Sequence, residues 1–174
     1  MERDGILSLD QVENGRSVSP LLLDQLVFNN EAIEPLRELK AMGFLLIATT
    51  NQPGISRGTL SRRESDAINA SLRVFFGIDD ILVCPHEPAD DCPCRKPKPG
   101  LLREAAYKWQ INMDQSFVIS NKWQDAEAAH NAGCTSLLIA SPWIGQGHRD
   151  IVLPKLADVV KAISRFQPAR LLVA

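Results

Sequence analysis

Four short apolar runs rich in β-formers constrain this chain most: FLLIATT (44–50), DDILVC (79–84), SFVIS (116–120) and TSLLIA (135–140). Segments of helical spacing separate them. In EAIEPLRELKAMG, Ile33, Leu36 and Leu39 recur at threes, Pro35 suits a first turn, and Gly43 ends the pattern. In GLLREAAYKW, Leu101, Leu102, Ala105, Ala106 and Trp109 form one apolar face after the helix-incompatible KPKP. RRESDAINASLRVFF and QDAEAAHNAG read as two more helices. Strands that are apolar throughout, rather than alternating, are buried on both faces, and their alternation with helices predicts a mainly parallel sheet between two helical layers. The expected fold is a three-layer, Rossmann-like α/β domain over residues 1–174, near the usual size of one domain. Residues 7–30 have mixed composition and predict a loop or a short hairpin.

In such sheets ligands bind at the carboxyl ends of the strands. Thr50, Asn51 and Gln52 follow the first run, Cys84 and His86 the second, and Ser120, Asn121 and Lys122 the third. The net charge of -2 offers no electrostatic footprint for nucleic acid or an anionic membrane. No apolar run approaches the roughly 20 residues of a membrane helix, and the start lacks the charged and apolar regions of a signal peptide. A cytoplasmic protein is expected, and nothing in the sequence demands an oligomer, so a monomer is expected too.

CPHEPADDCPC places Cys84, His86, Cys92 and Cys94 in a C-x-H-x5-C-x-C pattern. Three thiolates and one imidazole suit tetrahedral zinc, and four protein ligands describe a closed structural site. Pro85, Pro88 and Pro93 exclude a regular element there, so a metal would hold loop 84–94 and present the CRKPKPG stretch behind it. Cys134 stands alone near a strand and reads as a core residue. Arg95 and Lys96 follow the cluster directly and, with Thr50 and Asn51 at another strand end, are candidate phosphate ligands through charge-assisted hydrogen bonds. Arg57, in the glycine-containing turn of NQPGISRG, is a further candidate.

Taken in order, R-D-G near the start, TNQPGISRG, the Cys/His loop running into RKPKPG, and NKWQD resemble the motifs of haloacid-dehalogenase (HAD) superfamily phosphatases. The closest resemblance is to the zinc-containing branch that holds heptose 1,7-bisphosphate and histidinol-phosphate phosphatases, and it extends from residue 2 to about 142. The resemblance implies a fold without a large cap domain and hydrolysis of a small phosphorylated metabolite through an acyl-phosphate intermediate. It puts Glu2 at the nucleophile position and Asp4 at the general acid/base position. Thr50 and Asn51 then meet the phosphoryl group, with Arg95 and Lys96 stabilising phosphate and developing charge. Structural zinc would lie on Cys84, His86, Cys92 and Cys94, and catalytic magnesium between Glu2, the carbonyl of Asp4 and Asn121.

Four features depart from that pattern. Glu2 replaces the nucleophilic aspartate, and its extra methylene moves the carboxylate where in-line attack tolerates little misplacement. Ser120 replaces a glycine, and Asn121 replaces the metal-binding aspartate, offering magnesium a neutral oxygen. Only Met1 precedes Glu2, where the family has a full central strand. An upstream start, a sheet lacking that strand, and substitution by a segment such as 20–28 (PLLLDQLVF) are all open at this level. These departures make a catalytically impaired, phosphate-binding or regulatory protein the alternative to an enzyme.

Overall fold

The computed structural model describes residues 1–166. Strands β3 (Ile47–Asn51) and β4 (Asp80–Cys84) pair in parallel, with Ile47 opposite Asp80 and Asn51 opposite Cys84. Strands β5 (Phe117–Ser120), β6 (Thr135–Ile139) and β7 (Ile151–Leu153) form a second parallel set in that order. Met1 and Glu2 join the two sets. The Met1 amine donates to Ile47 O at 2.8 Å, Thr49 N to Met1 O at 2.8 Å, and Glu2 N to Ile119 O at 2.9 Å, while Glu2 and Thr49 form a parallel bridge. The resulting order is β4, β3, residues 1–2, β5, β6, β7.

The central position is therefore held by the two residues before R-D-G. The segment 20–28 does not substitute for a strand: Leu23–Gln25 is one 3-10 turn, and Phe28 makes an isolated antiparallel bridge to Ser8. A short hairpin, β1 (Gln11–Glu13) and β2 (Arg16–Val18), fills part of 7–30.

Helices α1 (Ile33–Ala41) and α3 (Arg62–Phe76) pack together on one face of the sheet with α6 (Val159–Phe166). Leu36, Leu39, Ile68, Leu72 and Ile163 join Ala48, Ile119 and Leu137 in the main core. Helices α4 (Gly100–Trp109) and α5 (Trp123–Ala132) cover the other face, where Leu102, Val118, Ala128 and Ala129 cluster. The one-turn helix α2 (Gly54–Arg57) follows β3. Ser61 caps α3 by accepting the Glu64 N–H, satisfying one of its orphan donors. The first apolar run starts its strand three residues later than expected, because Phe44 N still bonds back to Leu39 O and Leu46 N to the Asp79 carboxylate. Strand β7 and helix α6 are elements the sequence reading did not find. No helix among the described residues is long and apolar enough to cross a membrane.

Candidate active site

Glu2 and Asp4 leave the central position at the carboxyl edge of the sheet, both less than 5% exposed. Gly5 follows with φ +98, and a Cβ there would lie 2.4–2.5 Å from the Asn121 amide and the Asp10 carboxylate. Only glycine lets the chain turn this close to the end of β5.

Lys96 reaches this point from the Cys/His loop. The residue is 4% exposed, and its ammonium bonds Glu2, Thr49 O at 2.9 Å and Asp125 Oδ1 at 2.6 Å. Burial pushes the Glu2 carboxyl up, but the Lys96 and Lys122 charges outweigh it and hold it at about 2. Asp125 is pushed the other way, to about 7, first by burial and then by the Glu2 charge. Burial opposes the Lys96 charge, yet Asp125 and Glu2 raise its pKa. One cation thus faces two buried carboxylates, so the ammonium is fixed and one carboxyl binds a proton readily.

Asn51 does not point at this cluster as a free ligand. Its Oδ1 accepts Lys96 N at 3.1 Å and its Nδ2 donates to Lys96 O at 3.0 Å, clamping the backbone that carries the lysine. Arg95 turns back onto its own loop, donating to His86 O at 2.9 Å. Thr50, 1% exposed, accepts from Gln52 Nε2 at 2.8 Å. Arg57 lies farther out: it pairs with Glu87, and its side chain is 53% exposed. The structure brings Glu2, Asp4, Thr50, Asn51 and Lys96 together, and leaves Arg57 on the rim.

Asp4 accepts five hydrogen bonds. Arg3 donates through Nε at 2.9 Å and Nη2 at 3.0 Å, Ser8 Oγ at 3.0 Å, Ser19 Oγ at 2.6 Å, and Gln52 Nε2 at 2.9 Å. Burial pushes its pKa up, but the Arg3 guanidinium and these donors hold the carboxyl far below its ordinary range. Arg3 is fully buried and braced by Asn69 Oδ1 at 2.9 Å. Sequence reasoning missed Arg3, Ser8 and Ser19, and treated Gln52 only as a polar strand end. Ser19 and Gln52 stand 15 and 48 residues from Asp4, so no local pattern announces them.

On the opposite side, Lys122 Nζ donates to Asp4 O at 2.7 Å and lies 3.3 Å from Asp10 Oδ1. Asn121 Nδ2 donates to Asp10 Oδ2 at 2.5 Å. Asn121 Oδ1 and Asp125 Oδ2 are buried with no hydrogen-bond partner, and such oxygens are rarely left bare in a folded protein. Together with the Glu2 carboxylate and the Asp4 carbonyl, they are a donor set of oxygens that fits a hard divalent cation.

The Cys/His cluster is assembled. The ligand atoms of Cys84, His86, Cys92 and Cys94 all lie within 4.8 Å of one another. Sulfur–sulfur separations are 3.2–3.6 Å, and His86 Nδ1 lies 3.3 Å from Cys94 Sγ. A tetrahedral zinc with bonds of about 2.3 Å spaces its sulfurs about 3.8 Å apart, so the four residues fit a closed zinc site with little adjustment. The thiols form no disulfide. Gly100 lets α4 seat against this loop, since a Cβ would meet Pro93 O at 2.2 Å.

The HAD-hydrolase-like family model matches residues 93–159. The D-glycero-beta-D-manno-heptose-1,7-bisphosphate 7-phosphatase of Helicobacter pylori is 33% identical over 150 residues, 82% of this chain and 83% of that one. The protein of the same name from Pasteurella multocida is 33% identical over 94% of both chains. Among solved structures, the D,D-heptose 1,7-bisphosphate phosphatase of B. bronchiseptica, complexed with magnesium and phosphate, superposes with a TM-score of 0.78 at 24% identity, covering 94% of this chain and 97% of that one. With that fold, and with relatives at this identity along most of its length, the chain belongs to the HAD-like hydrolases, in the family of the heptose-1,7-bisphosphate 7-phosphatases.

Proposed function

We propose that this protein is a phosphatase of a phosphorylated sugar, with a heptose 1,7-bisphosphate as the substrate class its relatives' names suggest. The observation that carries this reading is the arrangement around Glu2: a buried carboxylate on the Lys96 ammonium, with Asp4 two residues on and Thr50 tied to Asp4 through Gln52. Glu2 would attack phosphorus, forming the carboxyl–phosphate bond as the sugar oxygen departs. The sugar oxygen takes a proton from Asp4, and the water that next attacks phosphorus returns one to Asp4, releasing phosphate and restoring Glu2.

Asp4 can carry that proton only when some of its five donors let go. Ser19 suits this, because it is only half-buried and its hydroxyl can turn to a substrate oxygen while Arg3 and Gln52 stay buried. Lys96 and Thr50 would hold the phosphoryl oxygens, with Lys96 set in place by Asn51. Glu2, the Asp4 carbonyl and Asn121 Oδ1 would hold magnesium, which when bound neutralises charge on the phosphoryl group. Arg57, at the rim, and Arg95, on the Cys/His loop, are candidates for the distal part of the substrate. Zinc on Cys84, His86, Cys92 and Cys94 would fix the loop that delivers Lys96.

The test is phosphate release from D-glycero-D-manno-heptose 1,7-bisphosphate and from histidinol phosphate, with and without magnesium, beside Glu2→Gln and Glu2→Asp/Asn121→Asp variants. Release by the unaltered chain that Glu2→Gln abolishes is expected. Release that survives Glu2→Gln would overturn the role of Glu2. Silence of the unaltered chain on both substrates would overturn the enzyme reading.

A further inference from the structure

The side-chain amide of Asn121 has two ends with opposite uses. Its Oδ1 is buried without a hydrogen-bond partner and belongs to the oxygen set that fits a divalent cation. Its Nδ2 donates to Asp10 Oδ2 at 2.5 Å. Turned over, the amide would offer that set an NH2 group, which donates hydrogen bonds and cannot ligate a cation. The group on the nitrogen side therefore decides whether Asn121 is a ligand.

That group is Asp10, the residue just ahead of the β1–β2 hairpin, with a side chain 9% exposed. Both of its oxygens are engaged. Oδ1 accepts Ser17 Oγ, from β2, at 2.5 Å and lies 3.3 Å from the Lys122 ammonium, while Oδ2 accepts Asn121. A carboxylate only accepts, so Asp10 admits the Asn121 amide by its nitrogen end alone. Gly5 leaves the room for this approach, since a Cβ there would lie 2.5 Å from both Asp10 Oδ2 and Asn121 Oδ1. Lys122 also donates to Asp4 O at 2.7 Å, but a carbonyl oxygen keeps a second lone pair for a cation.

We propose that Asp10 is a positioning residue for the cation site: by holding the Asn121 NH2 group it directs the amide oxygen at the cation. It also sets a carboxylate one hydrogen bond behind that neutral ligand, which makes the amide oxygen a stronger donor. Asn121 stands where an aspartate ligand was expected, and Asp10 returns part of the missing charge from a residue 111 positions away. The inference rests on the cation site of the function proposed above, and its test needs no turnover.

The experiment is calorimetric titration of the full chain with manganese(II), read independently by the electron paramagnetic resonance of the free ion, with no substrate present. Asp10→Asn is the first variant. Lys122 and Ser17 hold its amide oxygen at the Oδ1 position, so its NH2 group confronts that of Asn121 and turns the Asn121 amide over. Manganese affinity should fall about 10–100-fold, the usual effect of losing the partner behind a metal ligand. Asn121→Asp provides the second background. There the ligand is a carboxylate with no wrong end, and a second anion beside it is a like charge. Asp10→Asn should then leave affinity within about twofold or raise it.

A loss of equal size in both backgrounds would overturn the proposal and assign Asp10 to anchoring the hairpin. An Asp10→Asn variant that binds manganese as the parent does, or a parent that binds none, would overturn it as well. Phosphate release judges the enzyme reading separately: the expected manganese pattern in a chain that releases no phosphate would uphold the role of Asp10 and reject that reading.

Discussion

Replacing Lys96 with methionine tests the centre of the site most directly. The side chain is 2% exposed and its ammonium is shared between Glu2 and Asp125, exposed by 5% and 1%. Methionine fills a similar volume, so the loss is one of charge rather than packing. Two carboxylates are then buried with no cation between them. Removing one partner of a buried ion pair costs about 3–5 kcal/mol, because the other charge stays desolvated. Here one carboxylate can take a proton, which makes the lower figure, about 3 kcal/mol, the expected one. For a domain of this size that corresponds to roughly 6–12 °C in melting temperature. Thermal and urea unfolding at neutral pH measure it. The reasoning makes a second demand: adding Glu2→Gln and Asp125→Asn to Lys96→Met should recover most of the loss, since no uncompensated charge remains. A Lys96→Met variant within about 0.5 kcal/mol of the parent, or a triple variant no better than the single, would refute it.

Three further outcomes follow from the same geometry. Asn51→Ala should cost about 1–2 kcal/mol by unpairing the Lys96 backbone N–H and C=O, and calorimetry should show weakened phosphate or vanadate binding although Asn51 need not touch the anion. If binding is unchanged, the clamp has no part in placing Lys96. The protein as purified should carry one zinc per chain by elemental analysis; a chelator or Cys94→Ser should loosen loop 84–94 and weaken phosphate binding, with exchange increases centred on that loop.

Asp79 accepts from Lys40 Nζ at 2.7 Å and Leu46 N at 2.8 Å; burial pushes its carboxyl up, but these donors hold it below the ordinary value. A depressed folded pKa means that its stabilisation is full above the unfolded value near 3.9 and is lost as pH falls through the folded one. Asp79→Asn should therefore cost roughly 1 kcal/mol at neutral pH, a gap that closes below about pH 4 in urea titrations. A gap that persists into acid would assign the effect to packing.

The parts of the fold legible in the sequence were those written in local periodicity. Helices α3 and α4 fall on the residues their spacing marks, and β4, β5 and β6 fall within their apolar runs. Strand β7 has three residues, too few for any period to register, and α6 has eight. The central strand position was not readable at all. Met1 and Glu2 carry no strand signal of their own, and only the approach of β3 on one side and β5 on the other makes them part of a sheet.

The site divides in the same way. Cys84, His86, Cys92 and Cys94 stand within eleven residues, so a turn-forming loop can gather them and the sequence alone determines that they can meet one metal. Lys96 and Glu2 are 94 residues apart, and Asp4 and Gln52 are 48 apart; they meet because strands distant in sequence lie side by side with their carboxyl ends level. Tertiary structure alone decided that Asn51 grips the Lys96 backbone, that Arg57 pairs with Glu87 at the rim, and that Asp4 sits among five donors. A residue's chemistry is fixed by its type, but what it bonds to depends on which chain segment packing places within about 3 Å of it.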